Sequence, residues 1–223
     1  MNLKLEKMIP WTSTVRDRTL IVTLPERYRV LSWAPLGGGF VEARTILNHQ
    51  VNIYEYPTLE PESYLYNLAQ QFDVAVPVVG LMTGVLMERL VRCTTQHDDL
   101  TIECFATVGL SNALAVGDPA TYAERFGTIN LIVAFNQALS PAALVEAVQI
   151  VTEAKVHALV AAGIRSTVSG ALATGTGTDC VAVACPIAED AYRYCGKHTK
   201  VGELIGRVVS DAVGEGIRKA SPK

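Results

Sequence analysis

The sequence predicts one α/β domain spanning residues 1–223, with a mixed or largely antiparallel sheet layered with helices. Three observations predict it. The 223 residues are 49% apolar, enough to bury one sizeable core. Hairpin-like pairs of apolar runs outnumber strand–helix–strand units, which favours antiparallel pairing. No linker, repeat or low-complexity tract divides the chain.

The elements follow in order. "TLIVTL" (Thr19–Leu24) and "YRVLSWA" (Tyr28–Ala34) flank Pro25 and Glu26 and read as a hairpin. "PLGGGF" (Pro35–Phe40) breaks the pattern with three glycines, and "VNIYEY" (Val51–Tyr56) is the next strand. "PESYLYNLAQQF" (Pro61–Phe72) predicts a helix, with proline suited to its first position and apolar residues at helical spacing. "GVLMERLVRCTT" and "LTIECFATVGL", rich in branched apolar residues, flank the polar turn "QHDD". "TINLIVAF" (Thr128–Phe135) reads as a central strand. Ser140 caps and Pro141 starts a helix to about Ala162, with Gly163 just past its end. Leu144, Val148, Val151, Lys155 and Leu159 trace one face of that helix, broken only by the lysine. "CVAVAC" is another strand, and Thr199 caps a last helix from Lys200 to about Lys219. There Gly202 and Gly206 share a face and allow close approach to a sheet or a partner helix.

Composition excludes several function classes. A net charge of −3 and pI near 5.8 leave no basic footprint for nucleic acid, and no polybasic run addresses a membrane. The first 20 residues have scattered charges and no long apolar stretch, so neither a secretory signal nor an anchor is expected, and the expected location is cytoplasmic. Five cysteines without C-x-x-C spacing argue against a disulfide framework and a zinc cage and read as buried thiols. His97 and His157 lack a ligand partner at i+4, so no protein-bound metal is expected.

Four stretches carry candidate chemistry. "ALATGTGTDCVAVAC" sets Thr174, Thr176, Gly177, Thr178 and Asp179 ahead of a strand. It is neither a P-loop nor a dinucleotide-binding turn; it reads as a ligand loop or as a tight turn with Asp179 bonding its own backbone. "YCGKHTKVGELIG" puts Lys197 and His198 at a helix start, where free N–H groups favour an anion or oxyanion; solvated surface residues are the alternative. "TVGLSNALAVGD" offers Ser111, Asn112 and Asp118 at a strand end but lacks the second glycine of a nucleophile elbow, and a capped turn is the alternative. Gly38 and Gly39 let a bulky ligand approach main chain, beside Glu42, Arg44, Asn48 and His49, the last also readable as a partly buried core histidine.

Taken together, "SWAPLGGGF", "TVGLSNALAVGDP", "GTINLIVAFNQALSPAALVEAVQIVTEAKVHAL", "SGALATGTGTDCVAVACP" and "YCGKHTKVGELIGR" resemble the adenosylcobinamide amidohydrolase family, CbiZ. The resemblance implies hydrolysis of the amide joining aminopropanol to the corrin ring of adenosylcobinamide. The product would be adenosylcobyric acid for cobamide salvage, with the cobalt part of the substrate and no cofactor bound to the protein. A broad, amide-edged corrinoid suits a cleft with glycine-lined walls and hydroxyl and amide groups, for which Thr174, Thr176, Thr178, Asn112 and Asn136 are of the right types, with Ser111 also expected to bind substrate. A weaker likeness to the ornithine acetyltransferase and aminopeptidase group implies α-β-β-α layering, but its self-cleaving nucleophile has no counterpart. The alternatives are a corrinoid-binding module that does not cut and an acyl-transfer or aminopeptidase-type enzyme. A homo-oligomer is left open.

The resemblance transfers no catalytic assignment, so the roles rest on the residues. Asp179 or His198 is expected as base with the other as acid or orienter, and Lys197 or N–H groups around Gly177 as oxyanion donors. Thr178 or Cys180 as a nucleophile is the second mechanism.

Overall fold

The computed structural model describes residues 9–52, 60–74, 76–120 and 127–220. β1 (Thr12–Arg16) turns into β2 (Thr19–Ser32) through Asp17 and Arg18, both at positive φ (45° and 61°), the backbone a two-residue hairpin needs. β2 does not break at Pro25. It runs 14 residues, and its register against β3 (Gly39–Gln50) shifts between Thr23 and Tyr28. Proline has no N–H for a ladder and is tolerated at such a bulge. The bulge is also where the neighbour on the other edge of β2 changes, from β1 beside Thr19–Thr23 to β10 (Cys180–Cys185) beside Arg29–Ser32. The true hairpin lies further on, at the glycine turn. Gly37 sits there at φ 66°, and a Cβ on it would fall 2.4 Å from the Val78 carbonyl oxygen.

After β3 the chain crosses through α1 (Pro61–Gln71) to a parallel strand, β4 (Val78–Thr83). Of the expected strand at Val51–Tyr56, Val51 and Asn52 lie beyond the end of β3, and the rest falls outside the described residues. β5 (Val91–His97) and β6 (Leu100–Val108) form the expected hairpin, although "GVLMERLVRCTT" is strand only from Val91, with a 3-10 turn at Met87–Arg89 before it. β8 (Ile129–Phe135) is central, antiparallel to β6 and parallel to β10. α2 (Pro141–Ala161) crosses from β8 to β10, capped by the Ser140 hydroxyl, which accepts from Ala143 N at 3.1 Å. A short ribbon pairs β7 (Ala113–Leu114) with β9 (Gly175–Thr176). α3 (Lys200–Ala220) closes the fold, its first turn capped by Thr199.

The main sheet is mixed, ordered β4-β3-β2-β10-β8-β6-β5 with β1 on β2. One face packs under α2 and α3 through residues such as Val133, Leu144, Val151, Val183 and Val209. The other face packs against itself: Leu20, Tyr28, Ile46 and Leu81 meet Phe105 and Ile132 in a second core. Strands four places apart in the sheet therefore touch across that core: Asn48 on β3 donates to Thr107 Oγ1 on β6 at 3.1 Å, and Asn130 on β8 to the Met82 carbonyl on β4 at 2.7 Å. α1 covers the outer side of β3 and β4 through Leu65, Leu68 and Ala69. The α-β-β-α layering is thus made by one sheet doubled over, not by two stacked sheets.

α3 departs from the expected glycine packing. A Cβ at Gly202 would lie 2.3 Å from the carbonyl oxygens of Cys195 and Gly196, so this glycine closes on the preceding loop, whereas Gly206 faces open space. The close approach to the sheet is at Gly216, where a Cβ would meet Val108 at 2.4 Å.

Candidate active site

The loop Thr174–Asp179 descends from β9 into β10, and its acid explains the lysine that interrupts the apolar face of α2. Asp179 Oδ2 pairs with Lys155 Nζ, the two side chains only 8% and 9% exposed. The same carboxylate accepts from Thr176 N (3.1 Å), Thr176 Oγ1 (2.5 Å) and Ile129 N (3.0 Å). Four donors leave it no lone pair aimed at solvent. Asp179 holds the loop to the start of β8 and to α2.

Around it the structure gathers most of the loop residues expected to bind substrate. Thr178 is exposed; its hydroxyl donates to the Gly127 carbonyl at 3.3 Å, and its own carbonyl accepts from Thr128 Oγ1 at 2.7 Å. Thr174 Oγ1 accepts from Val116 N at 2.9 Å, which ties the loop to the chain after β7. Gly177 is exposed, and its N–H and that of Thr178 make no hydrogen bond among the described residues. Ser111 is exposed beside Asn112, which is buried (7% exposed) and whose Oδ1 has no partner among the described residues. Asn112 packs between Gly127 and Gly177: a Cβ on either would lie 2.8 Å from its Oδ1 or 3.8 Å from its Nδ2.

A buried polar seam continues inward from this rim. Thr128 Oγ1, whose proton goes to the Thr178 carbonyl, lies 3.5 Å from Asn130 Oδ1; Asn130 Nδ2 donates to Asn48 Oδ1 at 2.9 Å, Asn48 Nδ2 to Thr107 at 3.1 Å, and Thr107 to Thr83 at 3.5 Å. These residues were missed as a group; the polar Thr128 and Asn130 in the otherwise apolar "TINLIVAF" are the readable signal.

Three expected site residues lie elsewhere. Lys197 forms an ion pair with Glu153, two positions before Lys155 on α2. Residues two apart on a helix do not face each other, so α2 stands between Lys197 and the Asp179 loop. His198, next in the chain, is exposed on that far flank. The pairing of Asp179 with His198 as acid and base on one bond is therefore not formed. Instead, Lys197 lines a groove of about 550 Å³ between α2 and α3, with Glu153, His157, Glu203, Arg207 and Asp211 also in its walls. Asn136 lies past the C-terminal end of β8, where it accepts from Thr101 N (2.7 Å) and donates to the Asp99 carbonyl (2.8 Å). It stands six positions after Asn130, about 20 Å along the strand, so it braces the β5–β6 turn rather than the rim.

The glycine turn does reach the loop. Gly39 takes φ 95° with open space beside it, and a Cβ at Gly38 would strike the Ala34 carbonyl oxygen at 2.6 Å. Trp33, at the start of the turn, donates its indole N–H to the Asp179 carbonyl at 2.6 Å. Cys180 is buried in β10, and burial pushes its thiol up to about 11, which removes it as a nucleophile.

Comparison with known proteins decides the family. The family model for CbiZ, adenosylcobinamide amidohydrolase, matches residues 5–223. The chain belongs to this family. It is an amidohydrolase. An adenosylcobinamide amidohydrolase of Methanosarcina mazei is 29% identical over 91% of this chain and 96% of its own length. One of Halobacterium salinarum is 36% identical over 60% of this chain and 55% of its own length. An uncharacterized protein of Methanocaldococcus jannaschii is 30% identical over 91% of this chain and 86% of its own length. The matched range takes in both the Asp179 loop and the α2–α3 groove of this CbiZ chain, so the family alone does not choose between them.

Proposed function

We propose that the protein hydrolyses the amide between aminopropanol and the corrin ring of adenosylcobinamide, giving adenosylcobyric acid for cobamide salvage in the cytoplasm. The observation that carries this reading is the family match over residues 5–223. The cobalt belongs to the substrate and the protein needs no cofactor of its own. Among the described residues no group of three or more His, Cys, Asp or Glu is placed to hold a metal ion, and no helix is long and apolar enough to cross a membrane.

The chemistry is placed at the Asp179 loop. The scissile carbonyl oxygen lies against the N–H groups of Gly177 and Thr178, which are donors without partners among the described residues and suit a developing oxyanion. A water adds to the carbonyl carbon and its proton passes to the leaving nitrogen as the C–N bond breaks, releasing the carboxylic acid and aminopropanol. If the Thr178 hydroxyl adds instead, its proton goes to the leaving aminopropanol and a water then hydrolyses the Thr178 ester to the same acid. Asp179 and Lys155 keep the loop in the shape that presents these donors. Ser111 and Asn112 supply polar groups for the amide-rich edge of the substrate.

Incubation with adenosylcobinamide followed by chromatography should yield adenosylcobyric acid and aminopropanol in equal amounts. Binding without products would make the protein a corrinoid carrier instead. Thr178→Val and Asn112→Ala should lower turnover at least tenfold, while His157→Ala and His198→Ala stay near wild type. The reverse pattern would move the chemistry to the α2–α3 groove. A covalent substrate adduct seen by mass spectrometry and lost in Thr178→Val would assign the attack to that hydroxyl rather than to water.

A further inference from the structure

Trp33 is half exposed (50%), in contrast to the buried Trp11 (4%). An exposed indole ordinarily pivots freely, but this one is fixed at its polar edge by the 2.6 Å bond to the Asp179 carbonyl. The turn beneath it is fixed as well: Leu36 and Gly80 exchange two backbone bonds (3.3 and 2.9 Å), and Gly37 fits against Val78 only because it lacks a side chain. The Asp179 carboxylate is turned instead to Lys155, so its carbonyl and carboxylate lock two different elements to one loop. A flat aromatic surface is therefore pinned, before any ligand arrives, to the loop that carries the exposed Gly177 and Thr178. Pre-organisation of this kind lowers the entropic cost of binding, and a rigid ring face selects a planar, conjugated partner.

We propose that the Trp33 indole is the platform on which a planar ring of the substrate stacks, making Trp33 a positioning and specificity residue at the Asp179 loop. This rests on the function proposed above, whose substrate has two such rings, the adenine and the corrin. Stacking on the indole would hold the molecule while the scissile amide reaches the loop donors.

The test measures KM, kcat, equilibrium binding of adenosylcobinamide and the unfolding midpoint for Trp33→Ala and Trp33→Phe. Stacking predicts that Trp33→Ala raises KM and Kd about tenfold, the size of a lost base–aromatic stack, with kcat little changed. Trp33→Phe keeps a ring but loses the N–H, and should recover most of the affinity. If Phe is as impaired as Ala and both lower the midpoint and kcat, Trp33 merely anchors the Asp179 carbonyl and the proposal falls. Unchanged KM and Kd in Trp33→Ala also overturns it. Adenosine as a competitor, weakened in Trp33→Ala, assigns the stacked ring to the purine. An effect of Trp33→Ala that persists with cobinamide lacking the nucleoside assigns it to the corrin. A wild-type protein that binds adenosylcobinamide without cutting it removes the proposed hydrolysis while the binding ratios still decide the stacking; one that binds neither probe removes both.

Discussion

Replacing Asp179 should destabilise the protein more than replacing Lys155, and the difference can be worked out from the bonds each makes. Asp179→Ala removes an acceptor of four donors and leaves an ammonium that is 9% exposed with no counter-charge. Breaking one side of a buried pair in this way costs about 3–5 kcal/mol. Lys155→Met leaves a carboxylate that keeps its bonds from Thr176 N, Thr176 Oγ1 and Ile129 N, and its stem volume is largely refilled, so about 1–2 kcal/mol is expected. The two residues share one interaction, so the double variant should fall short of the sum by about 2 kcal/mol or more. Urea unfolding at neutral pH measures all three. Turnover per folded molecule separates a loop holder from a general base: a holder predicts that Lys155→Met also lowers turnover, because the loop loses its tie to α2. A base predicts that only Asp179 variants lose activity. A cost below about 1 kcal/mol for Asp179→Ala, or full turnover in Lys155→Met with none in Asp179→Asn, would refute the reasoning.

Three further outcomes are expected. His49 is 3% exposed, bonded at Nδ1 to Thr19 (2.8 Å) and at Nε2 to Tyr64 (3.0 Å), and burial, reinforced by Arg18, lowers it from 6.5 to about 4. The unfolded chain therefore binds the extra proton between these values, so this stabilisation is complete above pH 6.5 and lost as pH falls towards 4; it amounts to at most about 3 kcal/mol, and His49→Gln should flatten that part of a stability–pH curve. Asn130→Ala strips partners from Asn48 Oδ1 and the Met82 carbonyl and should cost about 2–4 kcal/mol in denaturant unfolding. Gly37→Ala must place a Cβ 2.4 Å from the Val78 carbonyl oxygen at φ 66°, so thermal unfolding should show a loss of roughly 2 kcal/mol or more, with KM rising as the turn beneath Trp33 shifts.

The sequence made the helices legible because their ends are chemically marked. Ser140–Pro141 and Gly163 bracket α2 as expected, and Thr199 caps α3. Strand β4 was not legible: Gly80 interrupts its apolar run, yet that glycine is needed, since a Cβ there would crowd Leu36 and Leu65 at 3.2 Å. Pro25 misled in the opposite direction, because a proline between two apolar runs has the same appearance whether the chain reverses or bulges. In the candidate site, the loop Thr174–Asp179 stood out by its composition, and the strand end with Ser111 and Asn112 by its polar residues. That these two meet across β7 and β9 is a matter of pairing, which local composition does not encode. The failed union of Asp179 with His198 has the same origin. Glu153 and Lys155 are nearly adjacent in sequence, but helical geometry sends them to different sides of α2, and each carries its own loop with it.

A charged pair beneath the loop also needs a reason, since apolar residues of equal volume would often be as stable as a buried ion pair. Here they would not do the same work. Ile129 N and Thr176 N both end on the Asp179 carboxylate, and a leucine in its place would leave two backbone donors at the head of the sheet without an acceptor, at about 1–3 kcal/mol each. The carboxylate is thus required by the backbone, and the lysine follows because the carboxylate is buried. The pair accordingly fixes one conformation of the loop, with Gly177 and Thr178 outward and the Asp179 carbonyl turned to Trp33. If the proposed chemistry at Gly177 and Thr178 holds, aiming two N–H donors at a single amide benefits more from that uniqueness than from the stability an apolar core would supply.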